Sequence, residues 1–444
     1  MMSFFKIKDT HYLGIAYWVP LLFLFIVLSV ILSTLYPPLI VAVLTWIFIL
    51  APLWAPVVLG TIWWSQWIKY IRANFISAQP QVLLEIKLPR QILKTPKAME
   101  AVLSGLHVGP GETTFISRSW EGKVRPWWSL EIASIEGKIH FYVWAWEKHR
   151  DFVESQFYAQ YPDIEIHEVE DYSAGLTYDP SKNNVWGMEY KLAKDDAYPI
   201  KSYIDFELDQ DPKKVEHVVD PLSGVFEKLS SLGPGEQMWI QILIRQNKGA
   251  TIDHTFGRRT KSWKDEAQEE IEKIYKDSKP QEIDIATGEI TEGNYPLLKP
   301  AQVNTIKALE RSVDKQGFDA GIRAVYITKP DVFKGNKIPT NIVNLWSTFG
   351  SGHLNKFVPG NTWHVSLDYP WQDFKNMRAA HFSHRILDAY RRRSLFHPPY
   401  ERPRFVLTTE ELATIYHFPT EETKAPGIQR ISSTKGDAPT NLPT

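Results

Sequence analysis

Residues whose chemistry could serve a site concentrate in one stretch. Lys375, Arg378, Arg385, Arg391, Arg392, Arg393, Arg402 and Arg404 lie within thirty residues. Asp373, Asp388 and Glu401 offset part of that charge, and Trp371, Phe374, Phe382, Tyr390, Phe396 and Tyr400 are interleaved with it. Cations alternating with aromatic rings can follow a phosphate backbone while the rings stack on bases. The same residues can hold a protein partner, meet anionic lipid headgroups, or pair internally along a helix. The candidate contacts are Lys375, Arg378, Arg385, Arg391, Arg392, Arg393, Trp371 and Tyr390.

Other reactive arrangements are scarce. A phosphate-cradling loop needs Gly-x-x-x-x-Gly-Lys-Ser/Thr after a strand, so that backbone N–H groups and a Lys meet the phosphates. The chain has no such string. Gly350-Ser351-Gly352-His353 lacks the Lys-Ser/Thr and reads as a loop. Gly-x-Ser-x-Gly and His-Glu-x-x-His are missing too. His381 and His384 share a helical face at i, i+3 spacing, but two histidines alone do not make a metal site. Glu410-Glu411 reads as structure, because Thr408 and Glu411 fit a capping box that opens a helix containing Leu412 and Ile415. There is no Cys, which excludes thiol nucleophiles, disulfides and Cys-bound metals. The chain reads as a non-enzyme with no cofactor and no metal.

The elements that must carry these residues begin with an apolar segment. After Asp9 the next charged residue is Lys69. Within that window Tyr12 to Tyr36 is long enough to cross a bilayer. Tyr36-Pro37-Pro38 breaks the helix, and a second apolar run extends from Leu39 to Trp67. Pro52, Pro56 and Gly60 predict a kink or short break in it. Trp18 at one edge and Trp63, Trp64 and Trp67 at the other fit interfacial positions. Lys6 and Lys8 precede the segment and Lys69 and Arg72 follow it, so both ends are expected on the cytoplasmic side of the membrane. The lipid bilayer is therefore the first expected partner.

Length and composition describe the remainder. The chain has 444 residues, with 50 Lys+Arg against 51 Asp+Glu and a formal net charge of -1. That balance excludes a generally basic nucleic-acid coat. A hydrophobic content of 44% with 23% charged residues fits folded cores.

Residues 81–170 predict a βαββαβ order. Leu84, Ile86 and Leu88 alternate as a strand. Thr95-Pro96 opens a helix with a Met99, Val102, Leu103, Leu106 stripe, which Gly109-Pro110-Gly111 ends. Strands around Leu130 and Ile132 and over Ile139 to Ala145 follow, then a helix around Phe152, Val153 and Phe157, then a strand from Ile164 to Val169. This is the ferredoxin-like arrangement. The pattern begins again with Ile204, Phe206 and Leu208 as a strand and Leu222, Val225, Phe226 and Leu229 as a helical stripe. Gly233-Pro234-Gly235-Glu236 then repeats Gly109-Pro110-Gly111-Glu112. Residues 246–300 interrupt this second copy. They include a charged helix from Ser262 to Asp277 with a solvated face, or one that serves as a partner-binding arm. A helix over 301–316, a strand from Ile322 to Thr328 and a stripe of Ile342, Leu345, Trp346 and Phe349 resume the core.

Several strings carry a family resemblance. They are Lys94-Thr95-Pro96-Lys97-Ala98-Met99-Glu100, Glu154-Ser155-Gln156-Phe157-Tyr158-Ala159-Gln160-Tyr161-Pro162 and Tyr369-Pro370-Trp371-Gln372-Asp373-Phe374. Phe396-His397-Pro398-Pro399-Tyr400 and Thr409-Glu410-Glu411-Leu412-Ala413-Thr414-Ile415-Tyr416-His417-Phe418-Pro419 complete the set. From about residue 80 the chain resembles the membrane-anchored, non-motor front region of conjugation and type IV secretion ATPases of small-genome bacteria. That resemblance implies a two-span anchor and an αβ region that precede a motor of the FtsK/HerA class. Pro439-Thr440-Asn441-Leu442-Pro443 resembles the linker just before the motor. With no phosphate-binding motif, no catalytic residue carries over, and the motor is expected in trans.

The expected architecture is α+β: a two-helix transmembrane hairpin followed by tandem ferredoxin-like units, the second with a long insertion. Its parts are a hairpin over 1–72, a first unit over 73–172, a second over 173–420 with the insertion 246–300, and a flexible tail over 421–444. The expected function is a non-enzymatic docking scaffold of a type IV secretion or conjugation-like translocation machine. It would partner a motor ATPase, itself, or both. The alternative is a membrane-tethered nucleic-acid binder that uses residues 371–404.

Overall fold

A computed structural model describes residues 23–431, apart from positions within 25–35, the segments 211–219, 254–257, 284–289, 333–337, 361–372, 374–376 and 420–426, and scattered single positions. The fold is mixed α+β, with one long apolar helix leading into a large antiparallel sheet.

Helix α1 runs from Pro37 to Ser77 without a break. Its 41 residues correspond to about 60 Å, roughly twice a bilayer's hydrocarbon core. Pro37 and Pro38 occupy the first turn, where a missing N–H costs nothing. Of the kink or short break expected near Pro52, Pro56 and Gly60, the break does not occur, since the helix continues through all three. In the turn that Pro52 disturbs, the Trp54 indole donates to the Ile47 carbonyl at 3.1 Å. Residues 41–77 have a mean hydropathy of 2.2 in their most apolar window, and none of that window is buried, so this helix is long and apolar enough to cross a membrane. Most of the first crossing, Tyr12 to Tyr36, lies outside the described residues. The described positions between 23 and 34 are helical.

Among the described residues the sheet has nine strands: β1 (Gln81–Lys87), β2 (Trp128–Ile135), β3 (Lys138–Trp146), β4 (Glu165–Val169), β5 (Asn184–Leu192), β6 (Glu236–Gln246), β7 (Gly317–Thr328), β8 (Phe357–Gly360) and β9 (Phe405–Thr408). Their order is β8-β5-β7-β6-β2-β3-β1-β4, with β9 also paired to β7. All these pairings are antiparallel. At the centre β2 meets β6, with Leu130 opposite Ile242 and Ile132 opposite Ile240.

Helices cover both faces. On one side α2 (Pro96–Gly105), α4 (Arg150–Gln160), α5 (Ser223–Ser230), α8 (Ile338–Val343) and α10 (Thr409–Ile415) bury the core of Leu84, Leu130, Phe141, Ile240 and Tyr326. On the other, α9 (Met377–Arg391) and the end of α1 pack over Trp144, Trp146, Trp239 and Val325. The Thr408–Glu411 capping box opens α10 as expected, with the Thr408 side chain accepting from the Glu411 N–H at 3.3 Å.

Two sequence expectations change and a third is completed. Ile204, Phe206 and Leu208 do not form a strand, because residues 203–209 are successive turns. Asp205 fixes them by accepting from the Ser202 N–H at 2.9 Å and from Arg311 at 3.0 Å. The strand at this place in the order is β5. The charged helix α6 (Trp263–Asp277) has the solvated face expected of it and a packed face besides. Its Ala267, Ile271 and Ile274 pack on Leu309 and Val313 of α7 (Pro300–Asp314). Within the expected tail, residues 427–431 lie along the first strands, where the Ile139 N–H donates to the Gly427 carbonyl at 2.7 Å and the Ile431 N–H to the Leu88 carbonyl at 2.8 Å. The rest of that tail lies outside the described residues.

Candidate membrane-proximal site

The last turns of α1 carry Trp63, Trp64 and Trp67, whose spacing places the rings on adjoining faces one turn apart. Trp63 and Trp67 stack at 5.9 Å and 13°. A short helix, α3 (Phe115–Ser119), stands beside them. Thr114 caps it by accepting from the Ser117 N–H at 3.1 Å. Phe115 stacks on Trp64 at 6.1 Å and 9°, and Trp120 meets Trp67 edge-on at 5.8 Å. The Trp67 indole donates to the Ser119 carbonyl at 3.1 Å.

Below this aromatic cluster the helix is fastened to the sheet. Ile71 is buried, and Phe75 meets Trp146 edge-on at 6.0 Å. Gly122 has φ +67 and lies under the Ile71 carbonyl, where a Cβ would collide with the helix backbone. Lys148 lies 4.7 Å over the Trp146 ring. The apolar helix thus has its last turns packed on the αβ body, and only Ala78, Gln79 and Pro80 separate it from β1.

The basic segment takes a different role from the one its composition suggests. It crosses the sheet face that carries Glu131, Gln241, Arg245, Asp319, Arg323 and Glu189. Arg393 is buried, with Nε 3.0 Å and Nη2 3.2 Å from the Glu131 carboxylate and Nη1 paired with Asp171. Burial alone would lower its pKa, but Glu131 and Asp171 hold it above the ordinary arginine range. Glu131 also accepts from Ser129 at 2.7 Å, Tyr172 at 2.8 Å and Gln241 at 2.8 Å. Tyr390 is buried, its hydroxyl 2.6 Å from that of Tyr172, and burial pushes its pKa well up.

The remaining basic residues are spread over several contacts. Arg391 donates to the Ala174 carbonyl at 3.0 Å, and Arg392 pairs with Asp388 at 2.8 Å. Arg385 lies 5.7 Å over the Tyr400 ring. Arg402 approaches Glu189 at 3.9 Å, and Arg404 pairs with Asp319 at 3.2 Å. Arg378 is exposed on α9. Lys375 and Trp371 lie outside the described residues. Arg393 and Tyr390 are therefore internal, and most of the other described cations face acids or carbonyls of this chain.

Nearby lies a second buried charge group. Arg245 pairs with Asp319 at 2.9 Å, and Arg125 approaches Glu112 at 3.3 Å. Burial would raise the Glu112 carboxyl, but Lys248 and Arg125 bring it down to about 2. His397, 3.5 Å from Arg245, is lowered to about 3 by burial and by the charges of Arg245 and Arg72. It is neutral at pH 7.

The sequence reading missed Phe115, Ile116 and Trp120. Their signal was an apolar pair and a tryptophan flanking Arg118, within a stretch that showed no strand or helix period. A family model described as a domain of unknown function (DUF8128) matches residues 73–340. No curated protein matches the chain.

Proposed function

The chain belongs to this DUF8128 family, and on that premise we propose that it is a membrane-anchored docking scaffold of a type IV secretion or conjugation-like translocation machine, presenting its αβ body to a motor ATPase supplied in trans. One observation carries the reading: α1 enters the sheet directly, locked by Trp67, Ile71 and Phe75. A body held this way keeps a fixed attitude to the membrane, which a docking platform needs and a freely diffusing binder does not. The motif resemblance from residue 80 onward points to the same class of machine.

We further propose a two-helix anchor followed by two ferredoxin-like units in tandem. Strand order β4-β1-β3-β2 in one half and β8-β5-β7-β6 in the other supports tandem ferredoxin-like units, each following the βαββαβ neighbour pattern. Pro37 and Pro38 support a hairpin in which Tyr12 to Tyr36 makes the first crossing. The cations outside both ends support an inner-membrane protein with both termini cytoplasmic.

Cross-linking in native membranes, followed by purification in mild detergent, tests the function. The expected result is a motor ATPase linked to surface lysines of the αβ body. Recovery of the chain linked to no ATPase overturns the scaffold reading.

A further inference from the structure

We infer that α3 is a second membrane-contacting element, a short amphipathic turn whose Phe115, Ile116 and Trp120 enter the headgroup layer beside α1. The inference rests on the reading of α1 as a membrane span.

Phe115 is 56% exposed, Ile116 63% and Trp120 54%. The opposite side of the turn, Ser117 and Ser119, is buried against the body. Large apolar side chains thus point outward while small polar ones point in, the reverse of a surface helix facing water. The outward face adjoins α1 through Trp64, whose ring lies 6.2 Å from that of exposed Trp63. The stacking of Phe115 on Trp64 sets its depth, because both rings must lie at one level along the helix. That level is where the span passes from apolar residues to Lys69, the zone that tryptophans prefer at a membrane surface. Lys69, Arg118 and Lys123 are exposed around it and Arg72 is half-buried, against Glu121, which pairs with Lys123 at 2.8 Å. This excess of cations complements anionic headgroups. The occupant is therefore a lipid surface, reached by a loop that the span itself holds in place.

The chain has no cysteine, so single-site labels are specific without prior mutation. The full chain carries Ile116→Cys, Val57→Cys or Lys276→Cys, each labelled with an environment-sensitive fluorophore. Each is reconstituted in vesicles of three parts phosphatidylcholine to one part phosphatidylglycerol, with quenchers placed at shallow or deep positions of the lipid chains. The expected result is a blue shift with loss of fluorescence to shallow quenchers at 116, loss to deep quenchers at 57, and neither at 276. Quenching at 57 with a water-like, unquenched signal at 116 overturns the inference and leaves the span intact. An unquenched label at 57 overturns the span, and the inference with it. Trp120→Cys, read the same way, guards against a label that disturbs position 116.

Discussion

Arg393 combines two costs that a chain rarely accepts at one position. Its side chain is 1% exposed, and its backbone φ of +46 lies in the left-handed region usually given to Gly at a helix end. Three acceptor groups hold it: Glu131, Asp171 and the Arg391 carbonyl at 2.9 Å. Removing the cation leaves Glu131 buried without its counter-charge, so Arg393→Met is expected to lose about 3–5 kcal/mol, seen as a lower denaturant midpoint. No change in midpoint would refute the internal role. His397 makes a second residue-scale prediction. Its folded-state pKa is near 3, below its unfolded value of about 6.5. The unfolded chain therefore binds the extra proton between those limits. Stability is fully present above about pH 6.5 and is lost as pH falls towards 3. His397→Gln is expected to flatten the pH dependence of unfolding in that window relative to the parent. At this scale the sequence revealed the cations but not their partners. Glu131, Asp171, Glu189 and Asp319 lie on or beside strands remote in the chain, so only the folded sheet brings them under the basic segment.

Among the elements, α1 was read with the right chemistry, and of the kink or short break expected in it the break is absent. Proline predicts a break where water can satisfy freed carbonyls, but an apolar surrounding penalises exposed backbone and favours an intact helix. The strand β1 and the stripe of α2 were legible because one face of each is buried, which imposes period. The strand β5 was not, because Gly187 and Glu189 interrupt its pattern. Ile204, Phe206 and Leu208 imitated a strand while serving as half-buried turn residues. Gly122→Val tests the joint between α1 and the sheet. A left-handed φ and a backbone collision together cost about 3 kcal/mol. Hydrogen exchange over residues 68–76 is then expected to speed up by about 100-fold, and unchanged protection there would show that Gly122 does not hold the joint. Ala267→Asp tests the packing of α6 on Leu309. It is expected to expose residues 261–299 to limited proteolysis while the sheet stays protected.

For the molecule as a whole, the strands were legible in part and their assembly was not. Helical stripes and alternating apolar residues marked strands and helices in both parts of the chain, yet nothing local says that those strands join in one sheet. The seam between β2 and β6 does this through Leu130, Ile132, Ile240 and Ile242, all fully buried. One sheet with helices spanning both halves is expected to melt as one cooperative unit. Calorimetry of the full chain in detergent should therefore show a single transition for the αβ body, and two separated transitions would contradict the shared core. Ile240→Asp places a charge in the seam and is expected to abolish that transition for both halves together.

The helix described at the outset is about twice as long as the oil it would cross, and it meets the sheet without a swivel. A load pulling sideways on the distal strands β8 and β5 would then reach the lipid as tilt of a rigid lever. Force on the sheet and the angle of the long helix would be mechanically one variable.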